Sequence, residues 1–233
     1  SPLDEALTTI EAAVALCQAL DLKDMLLQTT SWRANILMFQ GNYAQAQVAN
    51  QAAEELLHEL GNSRKTLWIS VVWGLIALAE QRYAEAQQLL LASVTRFQEM
   101  GAEYQRVLTL AYLGIAELQL GHVDVARQRL VELLRVTTDL YFHVFLVQGA
   151  LYLAALHLAQ QGAVERAIEL YSLLSHLWIA GEPRLYEDIV GRYIDAAASA
   201  LPAVDVAAAQ ESGRTLDLWA TAKTLLAEFE GDV

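Results

Sequence analysis

A chain of 233 residues with 55% hydrophobic and 18% charged side chains has apolar surface enough to bury one large domain or two small ones, which argues against disorder. The net charge of −13 sits at the ends: residues 1–61 hold 8 acids and 2 bases, residues 62–176 hold 10 and 9, and residues 177–233 hold 10 and 4. No basic stripe results, which disfavours direct binding to a nucleic-acid backbone.

The chain begins at Ser1 without methionine and without a signal peptide, and reads as a processed or excised fragment. Cys17, the only cysteine, shares an apolar face with Val14 and is expected in the core. One cysteine excludes an internal disulfide and a thiol metal cluster, and fits a cytoplasmic location. From Tyr43 the chain reads YAQAQVANQAAEELLHELG, ending at Gly61, and from Tyr83 it reads YAEAQQLLLASVTRFQEMG, ending at Gly101. Between them stands the apolar run LWISVVWGLIALA, Leu67 to Ala79, bracketed by Lys65 and Glu80. It is too short to cross a bilayer and is expected as a buried helix.

The recurrence extends along most of the chain. Displaced by 40 residues, Leu3, Tyr43, Tyr83 and Val123 fall in register, and Val164 joins after one extra residue. Three positions later stand Ala6, Ala46, Ala86, Ala126 and Ala167. Twelve residues before the last four of these stand Ala34, Gly74, Gly114 and Ala155, again all small. Gly41, Gly121 and Gly162 mark one turn, and Gly61 and Gly101 a second. In the Tyr83 segment, Tyr83, Ala86, Leu90, Val94 and Phe97 follow the spacing of one helical face. Each unit therefore reads as two helices that cross at small residues, Gly74 facing Ala86, with Asp124 in the loop before its helix as a cap or dipole partner. Paired helices at a period of about 40 read as an all-α solenoid over residues 1–176, a partial first repeat and then four hairpins.

From Leu177 the register fails, and residues 177–233 are expected to form a helical cap of the same domain. Pro183 stands near the start of one helix, Pro202 opens a short second helix through about Glu211, Gly213 ends it, and Thr215 with Asp217 opens the last.

A small residue followed twelve positions later by alanine, with an aromatic three before that alanine, resembles the tetratricopeptide repeat (TPR). The longer, proline-poor period and the tail from Ala200 to Glu228 resemble the C-terminal sensor arms of bacterial STAND-type NTPases and of LuxR-type or maltose-activator-type regulators. The resemblance implies a right-handed solenoid whose first helices line a groove for a protein or peptide, including other domains of a parent signalling or transcription regulator. Carried over by register, the groove positions are Gln28, Ser31 and Asn35, then Trp68, Val71, Leu75 and Leu78, then Leu108, Ala111, Ile115 and Leu118, then Tyr152 and Leu156. The basic and amide set that grips a terminal carboxylate is represented by Asn35 and the nearby Arg33 alone. The groove is thus expected to take a helix or an extended apolar peptide, with Trp68 and Tyr152 as its anchors. The same residues would equally serve as buried packing, and the pattern leaves both open.

No phosphate-binding glycine loop is present. His58, His122, His143, His157 and His176 include no pair at helical ligand spacing, and Glu54, Glu55, Glu187 and Asp188 form no acid–base dyad. An imidazole–carboxylate contact at His58 is the most that spacing offers. The expectation is a non-enzymatic scaffold without cofactor or metal, and without membrane insertion. A free-standing adaptor or self-associating scaffold is the alternative.

Overall fold

Between its turns the chain is rich in Ala, Leu, Gln and Glu, residues that lose little on entering a helix. The computed structural model describes residues 1–61, 67–139, 144–177 and 183–231, and Lys65, His143 and Glu182 lie outside them. The described residues are all-helical: α1 (Pro2–Ala19), α2 (Lys23–Phe39), α3 (Tyr43–Leu60), α4 (Leu67–Ala79), α5 (Tyr83–Glu99), α6 (Glu103–Gln119), α7 (Val123–Asp139), α8 (Val144–Gln160) and α9 (Val164–Leu177). Then α10 (Arg184–Tyr186) runs through a π-turn (Glu187–Gly191) into α11 (Arg192–Ala198), followed by α12 (Ala203–Arg214) and α13 (Leu218–Gly231).

One device ends six of these helices. After α2 the Gly41 N–H donates to Met38 O at 3.0 Å and the Asn42 N–H to Leu37 O at 2.9 Å, the double closure of a Schellman motif. The same pair of bonds recurs after α1, α4, α5, α6 and α8. The motif needs one left-handed residue, and Asp21 (φ 52°) and Gln81 (φ 63°) supply it without glycine. Neither turn carries a glycine, so residue type alone does not mark it.

Helices α2/α3, α4/α5, α6/α7 and α8/α9 pack as hairpins, and α1 packs on α2. The first helices also meet one another, α2 with α4, α4 with α6, and α6 with α8. Ala34, Ala46, Ala86, Ala126, Ala155 and Ala167 are all buried. Two small-residue assignments change. A Cβ on Gly74 would stand 2.7 Å from Leu90 Cγ, so Gly74 meets Leu90, one turn beyond Ala86. A Cβ on Gly114 would stand 2.5 Å from Leu153 Cδ2 of α8, so this glycine closes the gap between hairpins rather than within one. Asp124 lies inside the first turn of α7, where its charge complements the helix N-terminus. Cys17 is buried, as its face required.

Glu117, 3% exposed on α6, is held bidentately by Arg129 of α7 at 2.6 and 2.9 Å. A carboxylate this deep is tolerable because the guanidinium fork meets both its oxygens.

The C-terminal elements do more than close the last hairpin. Helix α12 packs on α9, and α13 on α7 and α8, where the Arg127 Nη2 donates to Phe229 O at 2.5 Å. Gly213 does not stop α12. It lies within the helix and against the Glu169 carbonyl of α9, with no room for a side chain. Asp217 caps α13, its Oδ1 accepting from the Ala220 N–H at 2.8 Å. The α10–π–α11 segment instead runs back across the first helices, touching α8, α4 and α2. The expected single helix is thus present but interrupted by the π-turn, where Gly191 lies directly against the Tyr171 hydroxyl.

Candidate binding surface

The first helices of the four hairpins share one face, and the chain itself covers half of it. Tyr186 lies between Phe39, with ring centroids 6.3 Å apart, and Tyr152, stacked at 4.3 Å with planes 5° apart. Its hydroxyl is 3.0 Å from that of Tyr112. Burial pushes the Tyr112 phenol up to about 12, which keeps that hydroxyl protonated for the hydrogen bond the two share.

The repeat register explains how the segment is held. Its aromatic position is Tyr43 and Tyr83 in two units but valine at Val123 and Val164. Those two tyrosines are the ones the segment reaches. The Tyr43 hydroxyl donates to Asp188 Oδ2 at 2.6 Å, and the Tyr83 and Tyr193 hydroxyls meet. Both phenols are pushed above their ordinary range by burial first and by these partners next. Asp188 also pairs with Arg184 at 3.1 Å and Arg192 at 3.4 Å, and Arg192 donates to the Ala79 carbonyl at 3.1 Å. At Gly41 the Arg184 side chain lies where a Cβ would otherwise stand.

Several expected groove residues are therefore closed to a partner. Val71, Leu75, Leu78, Ala111, Ile115, Leu118, Tyr152 and Leu156 are buried, between neighbouring hairpins and under the C-terminal segment. Tyr152, expected as an anchor, has its ring face taken by Tyr186. Arg33 turns the other way, its Nε 3.5 Å from Glu11 Oε1 of α1. Glu54 accepts from the Trp73 indole at 3.4 Å.

No described residue of the chain covers the other half of the face. A pocket of about 540 Å³ lies along α2, from Leu27 to Phe39, and at the N-terminal ends of α4 and α6. Gln28, Ser31, Asn35, Trp68 and Leu108 from the expected set line it, brought together with Leu27, Trp32, Phe39, Ile69, Phe97, Ala102, Tyr104 and Gln105. Trp32 is 63% exposed beside it, an unusual state for an indole. Trp68 is half-buried and fixed, its Nε1 donating to Asn35 Oδ1 at 2.6 Å while the Asn35 Nδ2 donates to Ser31 O at 2.8 Å. The signal that would have found the missed residues is periodicity: Trp32, Phe39 and Tyr104 continue the same helical stripe by one turn from Gln28, Asn35 and Leu108.

Elsewhere, His157 is buried edge-on to Phe229 with ring centroids 5.3 Å apart. Burial first, and the nearby Arg127 charge second, hold it below the ordinary imidazole range. Among the described residues no helix is long and apolar enough to cross a membrane, and no three His, Cys, Asp or Glu side chains gather as a metal site. No protein-family model matches this chain, and no curated protein matches it.

Proposed function

We propose that this chain is a non-enzymatic, TPR-like scaffold, a right-handed solenoid of helical hairpins that binds a protein or peptide partner on its first-helix face. As the sensor arm of a larger bacterial NTPase-type regulator it would act in the cytoplasm, converting occupancy of that face into a change in the parent's signalling or transcriptional state. The observation that carries this reading is the open pocket shared by three successive first helices, with Trp32 exposed at its rim. Exposed aromatics beside a preformed pocket supply the area from which partner binding draws most of its energy. The 40-residue register and the pairing of consecutive helices support the repeat assignment.

Selection of random displayed peptides on the immobilised chain tests it. Binders that are recovered on the native chain and lost on a Trp32→Ala/Tyr104→Ala double variant, itself shown folded by circular dichroism, support the reading. Recovery of no binder above background refutes it.

A further inference from the structure

The covered and open halves of the first-helix face are continuous. Phe39 belongs to both, lining the pocket while its ring packs near Tyr186. The covered half therefore records, within one molecule, what this surface accepts. From the C-terminal segment it takes the Tyr186 ring, stacked on Tyr152 and near Phe39, whereas Glu187 is exposed. Charge enters that contact at Arg184, Asp188 and Arg192, which offset one another as ion pairs while the Tyr43 hydroxyl donates to Asp188 and Arg192 donates to the Ala79 carbonyl.

Among the described residues the open pocket has no such neutralising group. None of its lining side chains is Asp, Glu, Lys, Arg or His. A charged group entering it would lose hydration with no opposite charge on the described lining to meet it. Its walls are Trp32, Phe39, Trp68 and Tyr104, suited to edge-on or offset contact with another ring. The Asn35 amide already holds Trp68 in place, so that wall is set before a ligand arrives and little ordering is required on binding. Gln28 and Gln105, both exposed at the rim, offer carboxamides that can each donate to and accept from a peptide unit.

We propose that the pocket takes an uncharged aromatic side chain presented by a peptide segment of a partner protein, with the peptide backbone meeting Gln28 and Gln105. This rests on the scaffold reading and specifies its ligand. The segment repeats on the open half the kind of contact that Tyr186 makes on the covered half. A volume of about 540 Å³ admits the anchor together with a small apolar neighbour.

The test uses the selected peptides individually. Each is sequenced, labelled with a fluorophore and titrated by anisotropy against the native chain, Trp32→Ala and Gln105→Glu. Both substitutions change exposed side chains, and circular dichroism of each variant checks that it folds. The expected consensus is a Trp, Tyr or Phe with uncharged neighbours. Trp32→Ala should weaken binding about tenfold, and replacing the anchor by Lys or Glu should abolish it. Gln105→Glu should weaken binding by severalfold. Peptides that bind through a charged anchor, or bind Trp32→Ala and Gln105→Glu as well as the native chain, overturn this inference and leave the scaffold reading in place. Recovery of no peptide at all overturns the scaffold reading, and this inference with it.

Discussion

Replacing Tyr186 by alanine should release the clamp that holds the C-terminal segment on the first helices. The side chain is 6% exposed, stacks on Tyr152 at 4.3 Å and pairs its hydroxyl with Tyr112 at 3.0 Å. Burying a ring of this kind removes roughly 150–200 Å² from water, about 4–5 kcal/mol at 25 cal/mol per Å². Stacking adds about 0.5–1.5 kcal/mol, and orphaning the Tyr112 hydroxyl costs about 1–3 kcal/mol more. These contributions overlap, because the surroundings partly collapse into the vacated space, and aromatic truncations in cores cost about 3–5 kcal/mol. Tyr186→Ala should therefore lower stability by about 3–5 kcal/mol. Tyr186→Phe keeps the ring and loses the hydroxyl pair alone, for about 1–2 kcal/mol. Urea unfolding followed by circular dichroism, with the slope checked for constancy, gives both values. A loss below about 1 kcal/mol for Tyr186→Ala would refute the clamp, since a residue buried this way cannot be removed so cheaply. Equal losses for the two variants would move the energy from the stacked rings to the hydroxyl pair.

Arg129→Met leaves the Glu117 carboxylate buried without its partner and should cost about 3–5 kcal/mol, much of it recovered in the Arg129→Met/Glu117→Leu double variant; denaturant titration of the three chains decides this. Ala86→Leu and Ala126→Leu insert bulk where the alanine is fully buried and should each cost about 1–3 kcal/mol, and an unchanged melting temperature in both would show that the helices there are not closely packed. Gln81→Gly relieves a left-handed non-glycine residue and should raise stability by about 0.5–1 kcal/mol, read as a higher urea midpoint. Tyr112, held protonated to about 12, binds its proton more tightly folded than unfolded, so its contribution is complete below the ordinary phenol value of 10.0 and is lost as pH rises above it. Tyr43 and Tyr83 shift in the same direction. Tyrosinate absorbance during alkaline titration should therefore rise cooperatively with unfolding, and a smooth rise at the ordinary phenol value with the fold intact would contradict it.

Trp68 illustrates how far sequence reasoning reached and where it stopped. Its place on the first-helix stripe was legible from the 40-residue register. Its bond to Asn35 was not, because the two residues stand 33 apart and meet only when α2 and α4 are packed. Trp68→Ala would leave the Asn35 carbonyl oxygen unpaired and so weaken the fold as well as the pocket. Trp32, adjacent to Ser31 in the chain, is the cleaner probe of binding. Gly213 stops a helix by its composition alone, yet it sits inside α12 because the Glu169 carbonyl approaches too closely for any side chain.

Helical character and the hairpin period are legible in the chain itself, since turn residues, small residues and apolar spacing are local and repeat every 40 positions. The sequence marked the stripe on the first helices as apolar. Hydropathy is blind to what covers an apolar residue, whether a neighbouring hairpin, the chain's own distant segment or a partner. Tertiary structure alone decided that: the bond from Tyr43 to Asp188 spans 145 positions, and it places the C-terminal segment over one half of the face. The half left open is where Trp32, Trp68 and Tyr104 converge, because no described side chain of the segment extends past Phe39 to line it.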